Sequence, residues 1–394
     1  MPRAPVVLFD ATPMLDTSGQ RGIGRVIQDL LHGLAETRDE WRSSLEVMAI
    51  FDLGFRGDAL YTDDLRAAAV ATEAARGTAI DHAVWPRRLG LRGAARHARA
   101  AMVHLPEARG TPWALPCRSL VTCHDLIPLR FSRDYLGGAY ARMKRKAIEL
   151  RRFHHATRIA AISRKTKDEL RELLGIAPTK IDVVPNGIDL SRWSPAPLAD
   201  DRARLGALDV GRRPYLLYVG YCDARKGISA MLRALVELPP IELVWAGNLL
   251  PNDVERIRAE ATALGVVERV RLLGFVRDDR DLAALYRGAL CHLFLSKLEG
   301  FGLSVAEALA SGCPVVLVRG SGADEVAEDA ALAVDPDDSA AAAAAVRSLE
   351  RDPSLRARLV ARGLSRVRLF DRRAMARGYV EAYRRTLSGS ASST

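Results

Sequence analysis

The sequence predicts an α/β protein built from two doubly wound domains. Short apolar runs alternate with segments of helical period along most of the chain, which is the pattern of parallel strands joined by crossover helices. The alternation comes as two series, divided by a polar, proline-bearing junction near residue 195. With 394 residues, the chain is long enough for two separate cores.

In the first series, "PVVLFDA" (5–11) reads as a buried strand, and "IGRVIQDLLHGLAE" (23–36) as a helix with Val26, Leu30 and Leu34 on one face. The runs "SLEVMAIFD" (44–52), "AMVHLP" (101–106), "SLVTCHD" (119–125) and "RIAAIS" (158–163) read as further strands. "KIDVVPNGIDLSRWSP" (180–195) ends in turn residues and two prolines, and "LADDRARLGALDVGRRP" after it is polar. The predicted domains are therefore 1–195 and 214–370, with 196–213 as a linker. The second series has strands at 214–220, 241–247, 270–275, 289–296 and 314–320, with helices between them. The segment 338–388 is helical, and 371–388 is expected to cross back and brace the first domain.

Composition narrows the class. Hydrophobic content of 48% and charged content of 27% describe a globular chain. No apolar run reaches transmembrane length, and Asp10 interrupts the first apolar stretch, so neither a spanning helix nor a secretory signal is expected. Five dispersed cysteines without C-x-x-C spacing suit reduced structural thiols and a cytoplasmic location. Net charge is +10, and residues 1–200 hold 30 basic against 23 acidic side chains. That asymmetry suits an anionic partner: a membrane surface, a phosphorylated acceptor or nucleic acid.

The chemistry is concentrated in "SKLEGFGLSVAEALASGCPVV" (296–316). Glu299 follows a predicted strand, and Gly300 and Gly302 permit a tight turn and close approach of a ligand. The helix then begins near Leu303. It leaves the amides around Gly302, Leu303 and Ser304 without intrahelical partners at its positive end, a seat for phosphate. A carboxylate would repel that phosphate, so Glu299 and Glu307 make sense as acceptors for hydroxyls on either side of it. A nucleotide sugar has that shape, with Glu299 at the sugar and Glu307 at the ribose. The plainer alternative is a capping Glu299 and a solvated Glu307.

The string resembles the Glu-x(7)-Glu segment of the retaining glycosyltransferases of family 4. It matches at Glu299, Gly300, Phe301, Gly302, Leu303, Glu307, Ala308, Ala310, Gly312, Pro314 and Val315, with Ser304 where proline is usual. The resemblance implies a GT-B fold, two Rossmann-like domains facing a deep interdomain cleft, with the nucleotide sugar on the second domain and the acceptor entering from the first. It also implies that Lys226, six residues after Gly220, grips the diphosphate. Tyr221 stands where an arginine is common, and Arg225 is the candidate to supply that charge. "GADEVAEDAALAVDP" (322–336) resembles the segment after the last donor-binding strand, with Glu328 replacing a usual glycine.

In the first domain, "GQRGIGRV" (19–26) resembles the glycine-rich loop that faces the donor phosphate, which makes Gly22 and Gly24 donor-side candidates and Arg25 an acceptor-side one. As a dinucleotide fingerprint it fails, because Ile27 occupies the third glycine position. "VTCHDLIPL" (121–129) resembles the H-D-L-x-P segment of bacterial mannosyltransferases. It places His124 as the active-site histidine and Asp125 on the acceptor side, while His104 is expected to be structural. "AYARMKRKAIELRRFHH" (139–155) has six basic residues and one acidic, with Tyr140, Met143, Ala147 and Leu150 in one stripe. It is either a surface for anionic lipid or a core helix with a solvated face. The acidic runs 277–281 and 335–338 sit at helix starts, where aspartate is favoured anyway.

The expected activity is retaining transfer of a hexose, with mannose from GDP-mannose favoured, onto a glycan or lipid-linked saccharide. No cofactor, metal or nucleic acid is expected to take part, and the location is cytoplasmic or peripheral at the inner membrane face. UDP-sugars remain an alternative donor class. A GT-B epimerase or phosphorylase, or a non-catalytic anion or nucleic-acid binder, are rivals of other kinds.

Overall fold

A computed structural model describes residues 4–15, 22–52, 81–85, 90–108, 112, 114–131 and 135–389. The chain divides into two compact units, Met1–Gly187 with Asp371–Thr394, and Ile188–Phe370.

The first unit carries a seven-stranded sheet in the order β3-β2-β1-β4-β5-β6-β7. The strands are β1 (Val6–Asp10), β2 (Glu46–Asp52), β3 (Asp81–Trp85), β4 (Met102–Leu105), β5 (Arg118–Cys123), β6 (Arg158–Ala161) and β7 (Ile181–Val183). All pairings are parallel, for example Leu8 opposite Met48 and Val103 opposite Ser119. Val7, Leu8, Phe9, Val103, Val121 and Ile159 are fully buried, as expected of strands covered on both faces. β3 and β7 escape the sequence reading: β7 is only three residues long, and β3 opens on Asp81 and His82.

The helix Arg372–Ser388 belongs to this unit. Its Met375, Tyr379 and Tyr383 are buried, and the Tyr379 hydroxyl meets Thr122 on β5 at 3.0 Å. His104, fully buried on β4, is held between the Tyr383 hydroxyl (2.8 Å) and Thr122 (2.9 Å), so it is a structural tie. Burial pushes its pKa down to about 3, so the ring is neutral. At the edge of the contact, Arg372 and Arg373 pair with Glu36, and Arg377 pairs with Glu40.

The helix Ala139–His155 corrects one reading. Glu149 and Phe153 are its buried residues, whereas Tyr140, Met143, Ala147 and Leu150 are exposed. The apolar stripe faces solvent, so the helix does not use it as a core face.

The second unit carries a six-stranded parallel sheet in the order β10-β9-β8-β11-β12-β13. Its strands are β8 (Tyr215–Val219), β9 (Glu242–Ala246), β10 (Val270–Gly274), β11 (Cys291–Phe294), β12 (Val315–Val318) and β13 (Ala331–Val334). Tyr215, Tyr218, Trp245, Leu293 and Val316 fill its core. The order steps outward in both directions from the β8–β11 pair, which is the switch point where such sheets open for ligands.

The predicted linker 196–213 is corrected. It contains the helix Asp201–Ala207, which is clamped to its own unit. Arg204 pairs with Asp200 and Asp281 at 2.7 Å and with Asp278 at 3.1 Å, while Arg287 pairs with Asp201 at 2.5 Å. The predicted boundary at 195 moves accordingly, since residues 188–195 group with the second unit. The acidic runs have local work: Asp278 and Asp338 cap helices through the Arg280 and Ala341 amides, and Asp335 and Asp337 pair with Arg319 and Lys297. Among the described residues no cluster of His, Cys, Asp or Glu suits a metal, no helix is long and apolar enough to cross a membrane, and all five cysteines are free.

Candidate active site

The carboxyl ends of β8 and β11 bring the key charges of the second unit together. After β8 the chain turns at Gly220 and forms a short 3-10 turn, Ala224–Lys226, started by Asp223 accepting from the Arg225 amide. Gly227 ends it at φ 68°, and a Cβ there would stand 2.2 Å from the Leu295 carbonyl oxygen. Only glycine allows this loop to lie so close to the end of β11. The Lys297 amide then donates to the Arg225 carbonyl at 2.8 Å. Two loops from strands far apart in sequence are thus joined at the backbone, and their side chains are forced together.

Glu299 is where they converge. Its Oε1 accepts from Lys226 Nζ at 2.6 Å, from Arg225 Nη1 at 2.7 Å and from the Ser296 hydroxyl. Arg225 also donates to the Leu298 carbonyl at 2.8 Å. Burial works to raise the Glu299 pKa, but the Lys226 and Arg225 charges and the bonds from Lys226 and Ser296 outweigh it and hold the carboxyl below its ordinary range. Burial, with Arg225 alongside, draws Lys226 below the ordinary lysine value despite the pull of Glu299. The cluster is therefore two cations on one nearly dry carboxylate, with Asp223 Oδ1 3.6 Å from Arg225 Nε as a looser second counter-ion.

The helix Leu303–Ala310 starts directly after it, with Gly302 as its N-cap at φ 111°. A Cβ on Gly302 would lie 2.7 Å from the Ala323 Cβ, so this turn packs against the next loop without room for a side chain. The Gly322 amide donates to the Glu299 carbonyl at 2.9 Å and fixes the same turn from the other side. Leu303 and Ser304 lie in the first turn, where amides have no intrahelical acceptor. Phe301 is buried edge-to-face on Phe370 and anchors the loop. Ser304 is held by His292: His292 Nδ1 sits 2.9 Å from the Leu217 carbonyl, which must accept, so Nε2 is left to accept from the Ser304 hydroxyl at 3.3 Å. Burial takes the His292 pKa down to about 4.

Glu307 has a different environment. It is 4% exposed, and its Oε2 accepts from the buried Tyr286 hydroxyl at 3.1 Å. The solvated-helix alternative for Glu307 is therefore corrected. The equivalent plain reading of Glu299 as a capping side chain also gives way to the ion cluster. Glu328 adopts φ 46°, ψ −124°, a conformation at ease only for glycine, and its carboxylate turns to Arg366 at 2.7 Å.

In the first unit the helix Gly22–Glu36 starts one residue earlier than predicted and takes Gly22 and Gly24 into its first turn, while residues 19–21 of the glycine-rich segment lie outside the described residues; Gly22 is exposed and Gly24 buried, and Arg25 is partly exposed. His124 follows β5. Its Nε2–H donates to the Pro106 carbonyl at 2.7 Å, and burial lowers its pKa, so Nδ1 is left as an acceptor on a neutral ring. Asp125 is exposed and its Oδ1 accepts from the Ile127 amide at 3.1 Å. His124 and Asp125 line a cavity of about 110 Å³ together with Ile23, Glu107, Arg145 and Arg152.

Sequence reasoning missed Ser296, His292 and Tyr286, the partners that set Glu299, Ser304 and Glu307 in place. Only Ser296 carried a local signal, three residues before Glu299 in the same turn.

Two family models match, "Glycosyltransferase Family 4" over residues 21–192 and "Glycosyl transferases group 1" over residues 206–366. The chain belongs to glycosyltransferase family 4. The O-antigen chain mannosyltransferase B of Escherichia coli is 35% identical over 168 residues, 40% of this chain and 42% of that one. The D-inositol 3-phosphate glycosyltransferase of Frankia alni is 32% identical over 249 residues, 60% of each chain. A glycogen synthase of Mycobacterium tuberculosis is 32% identical over 228 residues, 56% of this chain and 51% of that one. This family 4 chain thus matches about half the length of these curated relatives. Among solved structures, Anabaena HepE in complex with UDP and glucose superimposes with a TM-score of 0.73 at 19% identity, covering 96% of this chain and 99% of that one. The sucrose-phosphate synthase of Thermosynechococcus elongatus gives 0.72 at 23% identity, covering 97% and 99%. Both likenesses concern the fold, which is GT-B.

Proposed function

We propose that this family 4 chain is a retaining glycosyltransferase that moves a hexose from a nucleoside-diphosphate sugar to a hydroxyl of a glycan or lipid-linked saccharide. The observation that carries the reading is the convergence of Arg225, Lys226 and Glu299 at the switch point of the second sheet, beside the open first turn at Leu303. A diphosphate placed there meets two cations, the amides of Gly302, Leu303 and Ser304 and the positive helix end, all of which stabilise the charge that grows on the leaving phosphate.

In this reading the bond between the anomeric carbon and the phosphate oxygen breaks, and the acceptor oxygen bonds to the same carbon from the same face. The acceptor's proton passes to the departing phosphate oxygen. Glu299 accepts from sugar hydroxyls while keeping Lys226 and Arg225 aligned. Glu307, being nearly buried, meets the ribose only at its edge. Neutral His124, with Nδ1 open, orients a sugar hydroxyl, with Asp125 and Arg25 on the acceptor side and Gly22 and Gly24 giving a helix start that lets phosphate approach. No metal or other cofactor takes part.

GDP-mannose is the favoured donor. Its support is the H-D-L-x-P segment and the match to an O-antigen chain mannosyltransferase. A UDP-sugar is the second reading, favoured by the UDP and glucose bound in a structure of the same fold. A thermal-shift panel of GDP-, UDP- and ADP-sugars tests both. Stabilisation by GDP-mannose, lost in Lys226→Ala, is expected. A UDP-sugar acting alone moves the reading to the second donor class, and no response to any of the three overturns the donor site.

A further inference from the structure

We propose that the outer face of the helix Ala139–His155 docks on an anionic lipid surface. The inference goes beyond the transfer reaction, and it rests on that reading only for the idea that a lipid-linked acceptor is to be reached.

The face is apolar where it meets water. Tyr140 is 72% exposed, Met143 64% and Leu150 36%, and Ala147 lies exposed between them. At 3.6 residues per turn these four side chains fall within an arc of about 80°, over roughly 15 Å of helix. Tyr135, also exposed, precedes the helix. Exposed large apolar groups are ordinary when scattered singly, but here they form one stripe.

Charge flanks the stripe on both sides. Lys144 lies on one side and Lys146 on the other, both exposed, and neither enters an ion pair among the described residues. The one acidic residue of the helix, Glu149, points to the opposite side. It is buried and held by Arg145 at 2.8 Å and Arg152 at 3.0 Å. Those two arginines and Phe153 are thereby committed inward, where they line the cavity that holds His124 and Asp125. The outer face is left with apolar groups and positive charge and no carboxylate of its own helix. A nucleic acid would be served by the lysines but has no use for Met143 and Leu150. A protein partner would have to match both the stripe and its cationic rims. The negative leaflet, with headgroup charge above acyl chains, complements both features at once. Tyrosine at the end of the stripe suits the headgroup level.

Co-sedimentation of the full chain with vesicles tests this, without donor or acceptor, so that it can fail while the transferase reading stands. Vesicles of phosphatidylcholine mixed with phosphatidylglycerol are expected to bind the protein, vesicles of phosphatidylcholine alone are not, and added salt weakens binding. Lys144→Gln with Lys146→Gln lowers the partition about 25-fold, near fivefold per charge. Met143→Ser lowers it about tenfold, from the lost apolar burial. All three sites are exposed, and an unchanged melting temperature checks that the variants fold. Four outcomes overturn the proposal: no binding to either vesicle, equal binding to both, binding indifferent to these substitutions, or a Met143-dependent self-association that accounts for the stripe in solution.

Discussion

Glu299→Gln removes one negative charge and almost no volume. In the folded protein Glu299 Oε1 lies 2.6 Å from Lys226 Nζ and 2.7 Å from Arg225 Nη1, and the side chains of Glu299, Arg225 and Lys226 are only 12%, 14% and 10% exposed. A unit pair at that separation attracts by about 6 kcal/mol at an effective dielectric of about 20, most of it offset by the cost of drying the charges. Deleting one partner keeps that drying cost and removes the attraction, which typically destabilises by about 3–5 kcal/mol. Glutamine still accepts a hydrogen bond from Lys226, so the lower figure, about 3 kcal/mol, is the expected loss. For a unit of this size that corresponds to about 6–12 °C in Tm. The assay is differential scanning calorimetry with and without a nucleoside diphosphate. The diphosphate returns negative charge to Arg225 and Lys226, so it should restore at least half of the lost Tm, a larger shift than in the wild type, while sugar transfer stays low. A Tm within about 1 °C of wild type, or a nucleotide shift no larger than the wild-type one, would refute the electrostatic account of the cluster. Because the folded pKa of Glu299 is depressed, its stabilising contribution is present above the unfolded carboxylate value and is lost as pH falls through the folded one.

Two further outcomes follow from the same geometry. His104 and His292 have folded pKa values depressed to about 3 and about 4, so their contribution is complete above the unfolded histidine value near 6.5 and declines as pH falls. At pH 5 each costs its unit about 2 kcal/mol, and His292→Gln should flatten the denaturant-melt pH slope between about 6.5 and 4. Glycine substitutions should act in opposite senses at two turns. Glu328→Gly relieves a strained φ of 46° and gives up a half-exposed pair with Arg366, raising stability by about 1 kcal/mol; Gly302→Ala, at φ 111° and against Ala323, lowers it by at least about 2 kcal/mol in urea melts.

Much of the candidate site was legible because it is local. Glu299, the two glycines and the start of the helix at Leu303 lie in one short string, and each has a reason that depends only on its neighbours in sequence. Lys226 and Arg225 were legible by their distance after Gly220, but as grips for a diphosphate; that they are already paired with Glu299 was not. That pairing joins residues more than 70 positions apart, and only the adjacency of β8 and β11 brings them together. The same holds for His292 beneath Ser304 and Tyr286 against Glu307, where a buried donor and acceptor meet across elements. β7, with three residues, is too short for a period to show, and sheet pairing decides it.

By itself the sequence determined the α/β class, the two parallel series and the contiguous motif, since these follow from periodicity and backbone demands set by near neighbours. The tertiary structure alone decided which face of the 139–155 helix meets water, which unit the 201–207 helix joins, and which charges share Glu299. Those outcomes depend on burial and on partners distant along the chain, and a residue's solvation is a property of the packed molecule that the order of amino acids does not state locally.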